Sequence, residues 1–92
     1  AQMKHSVIFS IQNIVHFGNL VTNIPHNYVK GNDWNVEIRE NIIKARKTYS
    51  DVKVGEIIAL IGSHGWVEIA VNSGNAKLEL DVNIGFQIRI IY

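Results

Sequence analysis

"VGEIIALIGSHGWVEIAVNSG", residues 54 to 74, holds two apolar runs on either side of Ser63, His64 and Gly65. A short glycine-bearing connection between two such runs reads as an antiparallel hairpin, with strands near Glu56 to Gly62 and Trp66 to Val71. The same logic extends outward. In "WNVEIRENIIKA" (34–45), Trp34, Val36 and Ile38 alternate with Asn35, Glu37 and Arg39, the period of a strand with one buried and one wet face. "SVIFSIQNIV" (6–15) is a further strand candidate, and "FQIRIIY" (86–92) sets Phe86, Ile88, Ile90 and Tyr92 on one face. Asn75 to Leu80 has room for a single helical turn, too short for its periodicity to decide. Pro25 stands where the chain changes direction, and His26 to Asp33, with Gly31 and Asn32, reads as an exposed loop. Five or six short strands and at most one short helix predict a mainly β fold, a small antiparallel barrel or sandwich.

The 92 residues suit one domain, 1–92, with no repeat or linker to divide it. Hydrophobic residues make up 47% and charged residues 18%, enough apolar surface to offset the entropy of ordering. Nine basic and eight acidic residues leave a formal charge of +1, which lacks the electrostatic footprint of phosphate-backbone binding and argues against a nucleic-acid partner. The chain has no cysteine, which excludes disulfides and thiolate metal sites and favours the cytoplasm. No apolar run is long enough for a membrane helix, and "AQMKHSVIF" (1–9) does not read as a secretion signal. Position 1 is Ala rather than Met, which suggests a processed, cloned or excised piece.

Catalytic signals are weak. His5, His16, His26 and His64 are scattered, with no pair at a metal-ligand interval, so no metal site is expected. Ser63 and His64 are adjacent on a turn, where neighbours seldom point at one another as nucleophile and base must; a hairpin tip accounts for them better. Glu56, Glu68 and Asp51 read as strand-surface carboxylates, because raising their pKa would take burial or a nearby like charge. Binding signals are stronger in combination than singly. Gly62, Gly65 and Gly74 flank polar residues at strand ends, where a backbone can approach a flat ligand, and Phe17 or Trp66 can pack on its face.

Two strings change the balance. "FGNLVTNI" (17–24) and "IGSHGWVEIAVNSGNA" (61–76) resemble the signature segments of the C-terminal domain of the S-adenosylmethionine (SAM) hydroxide adenosyltransferases, the family that includes the fluorinating and chlorinating enzymes. The resemblance spans nearly the whole chain, through "TYSDVKVGEIIALIGS" (48–63) to "VNIGFQIRI" (82–90). It implies a small β-barrel whose larger N-terminal α/β partner domain carries the catalytic Asp, Arg and His; those residues have no counterpart here. It also implies a substrate-binding set of Phe17, Asn19, Ser63, His64, Asn72 and Ser73. Phe17 and Asn19 would lie beside the adenine, with the Asn19 amide on its N6/N7 edge. The backbone around Asn72 and Ser73 would read the other edge, and Ser63 with the His64 backbone would meet the amino-acid end.

The implied reaction converts SAM and water to adenosine and L-methionine, with no cofactor beyond SAM as substrate. The site would lie between subunits of a homotrimer, so the 92-residue chain alone is expected to be inactive. Two departures stand out. Relatives often carry an acidic residue shortly before Phe-Gly-Asn, where this chain has Ile14, Val15 and His16. The residue after Ser63 varies among relatives and includes arginine in the halogenating branch; His64 here argues against that branch and is compatible with hydrolysis. The rival expectation is a stand-alone binding or protein-interaction barrel without catalysis, favoured by a native start near Met3; a single-strand nucleic-acid barrel ranks lower.

Overall fold

The computed structural model describes residues 8–15, 17–31, 33–47 and 52–91. Its strands are β1 (Ile8–Val15), β2 (Asn19–Pro25), β3 (Asn35–Ile38), β4 (Asn41–Lys44), β5 (Ile57–Ile61), β6 (Trp66–Val71) and β7 (Gln87–Ile91). One short helix, α1 (Ala76–Leu80), precedes β7, and a 3-10 turn covers His26–Tyr28. The strands run antiparallel in the order β4-β3-β7-β1-β2-β6-β5.

The sheet curls because β1 serves two neighbours. Its first residues pair with β7 and its last with β2, and the register shifts between Ile11 and Asn13. Such a bulge bends a strand and increases its twist. The two ends then meet: Ala45, just after β4, bridges to Ala59 of β5, and Arg46 N–H donates to the Ala59 carbonyl at 2.8 Å. The result is the expected mainly β, nearly closed barrel.

Inside it lie Ile11, Leu20, Ile24, Val36, Ile38, Ile69, Ile88 and Ile90, all essentially inaccessible to solvent. Burying an aliphatic side chain of this size contributes about 1.5–3 kcal/mol, so the period-two pattern holds β3 and β7 in register. Val36 and Ile38 face inward while Asn35 and Glu37 are half-exposed. Phe86 is partly buried against the same core, and Tyr92 lies outside the described residues.

There are seven strands rather than five or six among the described residues. The stretch read as one strand over 34–45 divides into β3 and β4, paired with Ile38 opposite Asn41. Arg39 and Glu40 both have positive φ, 47° and 71°, the geometry of a two-residue hairpin turn. Neither is a residue that normally announces such a turn, so nothing local revealed it. Asn41 Nδ2 supports the turn by donating to the Arg39 carbonyl at 3.1 Å. The second addition is β2, which occupies the segment after Phe17 and Gly18; Pro25 is its last residue, followed by the 3-10 turn. In the predicted loop, His26, Asn27, Lys30, Gly31 and Asp33 are exposed, whereas Val29 is buried in the core. No helix among the described residues is long and apolar enough to cross a membrane.

Candidate functional site

A five-residue helix is too short to persist on its own propensity, and α1 is held at both ends. The Asn75 side chain caps its start by accepting from Leu78 N–H at 3.0 Å, while Ala76 and Leu80 are buried. Lys77 N–H donates to the Gly18 carbonyl at 3.0 Å, tying the helix to the turn between β1 and β2. That turn closes through Gly18 N–H and the Val15 carbonyl at 3.2 Å, with Gly18 at φ 94°.

These ties bring the sequence-distant candidates together. Phe17, Asn19, Asn72 and Ser73, with Val71, Gly74 and Asn75, line one open concavity of about 660 Å³. Phe17 is 85% exposed, so it is no core aromatic; its ring is free to meet a flat ligand. The Asn72 backbone is already paired: its N–H donates to the Glu56 carbonyl at 3.0 Å, and its carbonyl accepts from Gly55 N–H at 2.8 Å. Its side-chain Nδ2 donates to the Val52 carbonyl at 2.8 Å. Ser73 differs. It has φ 62°, a left-handed conformation unusual outside glycine, and its N–H and C=O have no protein partner among the described residues.

Ser63, His64 and Trp66 do not line this concavity. Ser63 and His64 sit exposed on the β5–β6 turn, and His64 reaches the Asn19 region only through Glu68. Glu68 Oε2 accepts from Asn19 Nδ2 at 2.8 Å, and Glu68 Oε1 lies 2.9 Å from His64 Nε2. Trp66 N–H donates to His64 Nδ1 at 3.2 Å, so a neutral ring carries its proton on Nε2 and donates it to Glu68. Both carboxylate oxygens are thereby engaged as acceptors.

The expectation that Glu68 is a strand-surface carboxylate is overturned: the residue is 8% exposed. Val67 to Val71 are buried without interruption, because β6 lies between β2 and β5 and is covered on both faces. Glu68 is thus the residue that sequence reasoning assigned wrongly, and that unbroken burial was hidden behind an apparently alternating "WVEI". Two of the three glycines are also packed closely inside the protein, and Gly74 lines the concavity as well. A Cβ on Gly62 would meet the His64 ring and Glu68 Oε1, and one on Gly74 would meet Val71 and Glu79. The lack of a side chain at Gly62 and Gly74 permits this close approach within the protein.

Glu56, the other described candidate acid, accepts from Lys53 N–H at 3.1 Å and pairs with Arg46 at 3.3 Å. That backbone hydrogen bond is the largest influence on its carboxyl; burial opposes it, and the Arg46 guanidinium and the Lys53 charge add to it, leaving the carboxyl below the ordinary glutamate range. This is the wrong direction for a general acid. His5, His16 and Asp51 lie outside the described residues. Among the described residues, no group of three or more His, Asp or Glu is placed to hold a metal ion. A second concavity, of about 550 Å³, is lined by Ile8, Glu37, Arg39, Phe86 and Arg89 among others. Arg39 pairs with Asp81 at 3.5 Å and Arg89 with Glu37 at 3.7 Å, while Glu40, which also lines it, has no ion pair among the described residues; the concavity contains none of the predicted site residues.

Residues 9–89 match the family model described as SAM hydroxide adenosyltransferase C-terminal domain. A protein of Thermus thermophilus named (R)-S-adenosyl-L-methionine hydrolase is 33% identical over 75 residues, covering 82% of this chain and 28% of that protein. Among solved structures, an uncharacterized conserved protein from Thermotoga maritima superposes with a TM-score of 0.82 at 31% identity, over 99% of this chain and 38% of that one. A conserved hypothetical protein from Thermus thermophilus gives a TM-score of 0.82 at 27% identity, over 91% of this chain and 34% of that one. The chain therefore spans about a third of the length of these relatives.

Proposed function

The chain belongs to the SAM hydroxide adenosyltransferase family, as its C-terminal domain, and from that premise we propose that it supplies the adenine-reading wall of an active site completed by a separate catalytic domain. The observation that carries this reading is the concavity in which Phe17, Asn19 and Ser73 meet. Phe17 packs on the purine face. Asn19 offers its amide to the N6/N7 edge, since an amide presents an acceptor and a donor together. The unpaired backbone of Ser73 reads the remaining edge, where a C=O accepts from N6–H and an N–H donates to N1. Asn72, with its backbone paired inside the protein, holds Ser73 in place. Ser63 and His64 face the amino-acid end of SAM when the other domain closes the site.

In the complete enzyme, hydroxide, or water that gives up a proton, attacks C5′ of SAM, the C5′–sulfur bond breaks, and L-methionine departs with the electron pair, leaving adenosine. This barrel positions the nucleoside and helps exclude solvent; the nucleophile is handled by the catalytic domain. The site lies between subunits of a homotrimer in the cytoplasm. The chain alone has no hydrolase activity.

Equilibrium dialysis with adenosine, comparing the wild-type chain with Asn19→Ala, tests the reading. The expected result is measurable adenosine binding that weakens about tenfold in the variant, the cost of one lost polar pairing. Equal binding by the two proteins contradicts it. So would adenosine release from SAM by the chain alone, if Asn19→Ala abolished that release.

A further inference from the structure

We infer that Glu68 is a specificity-determining positioning residue, which fixes the orientation of the Asn19 amide so that the concavity selects a 6-amino purine over a 6-oxo purine. The inference rests on the proposed nucleoside site and adds to it the residue that makes the Asn19 edge discriminate, beside the discrimination of the Ser73 backbone.

The two ends of an asparagine amide are nearly the same in shape, so its orientation is set by its hydrogen-bond partners. Here the partner decides by chemistry. Glu68 Oε2 lies 2.8 Å from Asn19 Nδ2, and a carboxylate can only accept. The reversed amide would set Oδ1 against a carboxylate oxygen, acceptor against acceptor, at a residue that is 8% exposed. Glu68 has no freedom to turn away, because its other oxygen is held by His64 Nε2 at 2.9 Å. The His64 ring is held in turn by Trp66 N–H on Nδ1.

With one N–H on Glu68, Asn19 keeps its Oδ1 acceptor and its second N–H, neither of which has a partner among the described residues. That pair matches a 6-amino purine, whose amino group donates and whose N7 accepts. A 6-oxo purine sets a carbonyl against Oδ1. It then has an unpaired acceptor facing an acceptor, and the amide cannot flip to relieve this while Glu68 holds it.

The test compares adenosine and inosine binding to the wild-type chain, Glu68→Gln and Glu68→Met. The glutamine amide can donate or accept and therefore permits either orientation of Asn19; methionine fills the volume and imposes none. The Asn19 side-chain amide resonances are followed without ligand in each protein. Their amide spectra also report whether the variants fold. The inference expects wild type to favour adenosine by more than about tenfold, because Ser73 and Asn19 both discriminate. It expects either folded variant to lose the Asn19 share, about tenfold, while the Ser73 share remains, with the Asn19 Nδ2 protons moving in the ligand-free spectrum. Wild-type selectivity retained in a folded variant overturns the role of Glu68 and leaves the nucleoside site standing. Asn19 protons that do not move in the variants overturn the Glu68 contact itself. Failure of the wild type to bind either nucleoside at millimolar concentration overturns the nucleoside reading, and this inference with it.

Discussion

Gly18 lies so close to Asn75 that a side chain on residue 18 would occupy the position of the Asn75 amide. The same asparagine caps α1, so the turn that carries Phe17 and the helix that follows Ser73 interlock at one point. Gly18→Ala therefore imposes a left-handed backbone on a residue with a Cβ and expels the cap. Thermal or denaturant unfolding is expected to show a loss of about 1–3 kcal/mol. Asn75→Ala alone costs about 1 kcal/mol through the lost cap. In the double variant the Gly18→Ala penalty shrinks, because the collision is gone and only the backbone strain remains. Strict additivity would show that the two residues do not interlock.

Gly62→Ala acts on a side chain rather than on the fold. Its Cβ would meet the His64 ring and Glu68 Oε1, and of the two the partly exposed ring is the one that a collision can push outward, breaking its hydrogen bonds to Glu68 and Trp66. The turn itself is retained by Gly62 N–H to the Trp66 carbonyl at 2.9 Å and by Gly65 N–H to the Gly62 carbonyl at 3.0 Å. The expected outcome is a folded protein, destabilised by about 1 kcal/mol, in which the ring-nitrogen shifts of His64 no longer show an Nε2–H tautomer. An unchanged His64 spectrum contradicts the close approach.

Thr22 is fully buried, and its hydroxyl donates to the Val67 carbonyl at 2.8 Å while accepting from Ile24 N–H at 3.1 Å. Thr22→Val keeps the shape and orphans both groups. The expected loss is about 1–3 kcal/mol, seen as a lower denaturant midpoint with an unchanged slope. A neutral result would mean that the two backbone groups find other partners.

Glu56 gives the pH dependence a direction. Its carboxyl is held below the ordinary glutamate range by the Lys53 N–H and by Arg46. The folded state therefore binds its proton less readily than the unfolded state. The resulting stabilisation is present above the ordinary glutamate range and is lost as pH falls below it, through the depressed folded value. Glu56→Gln should be less stable than wild type near neutrality, with the difference shrinking in acid. A Glu56 side-chain resonance that titrates at or above the ordinary value would contradict the pairing.

Most strands were legible because their periodicity survives in the sequence. Ile88 and Ile90 face the core between exposed Gln87 and Arg89, and the hairpin around Ser63 to Gly65 is where its glycines and apolar runs set it. Asn75 as the start of a short helix could also be anticipated, though only the contacts of Ala76 and Leu80 explain why five residues stay helical. The Arg39-Glu40 turn was invisible, since both residues adopt positive φ without glycine or asparagine. So was the burial of Glu68, whose partners Asn19 and His64 come from a different strand and from a turn. The family signature brought Phe17, Asn19, Asn72 and Ser73 to notice. That the Asn72 backbone is paired and the Ser73 backbone has no partner among the described residues belongs to the three-dimensional structure alone.

The most direct test of the central claim is an amide NMR titration of the isotope-labelled chain with adenosine, with uridine as the control. The account predicts adenosine-selective shifts confined to Phe17, Asn19, Asn72 and Ser73, around the concavity that these residues line. No shift at millimolar adenosine, or equal shifts with uridine, would contradict an adenine-reading wall on this barrel.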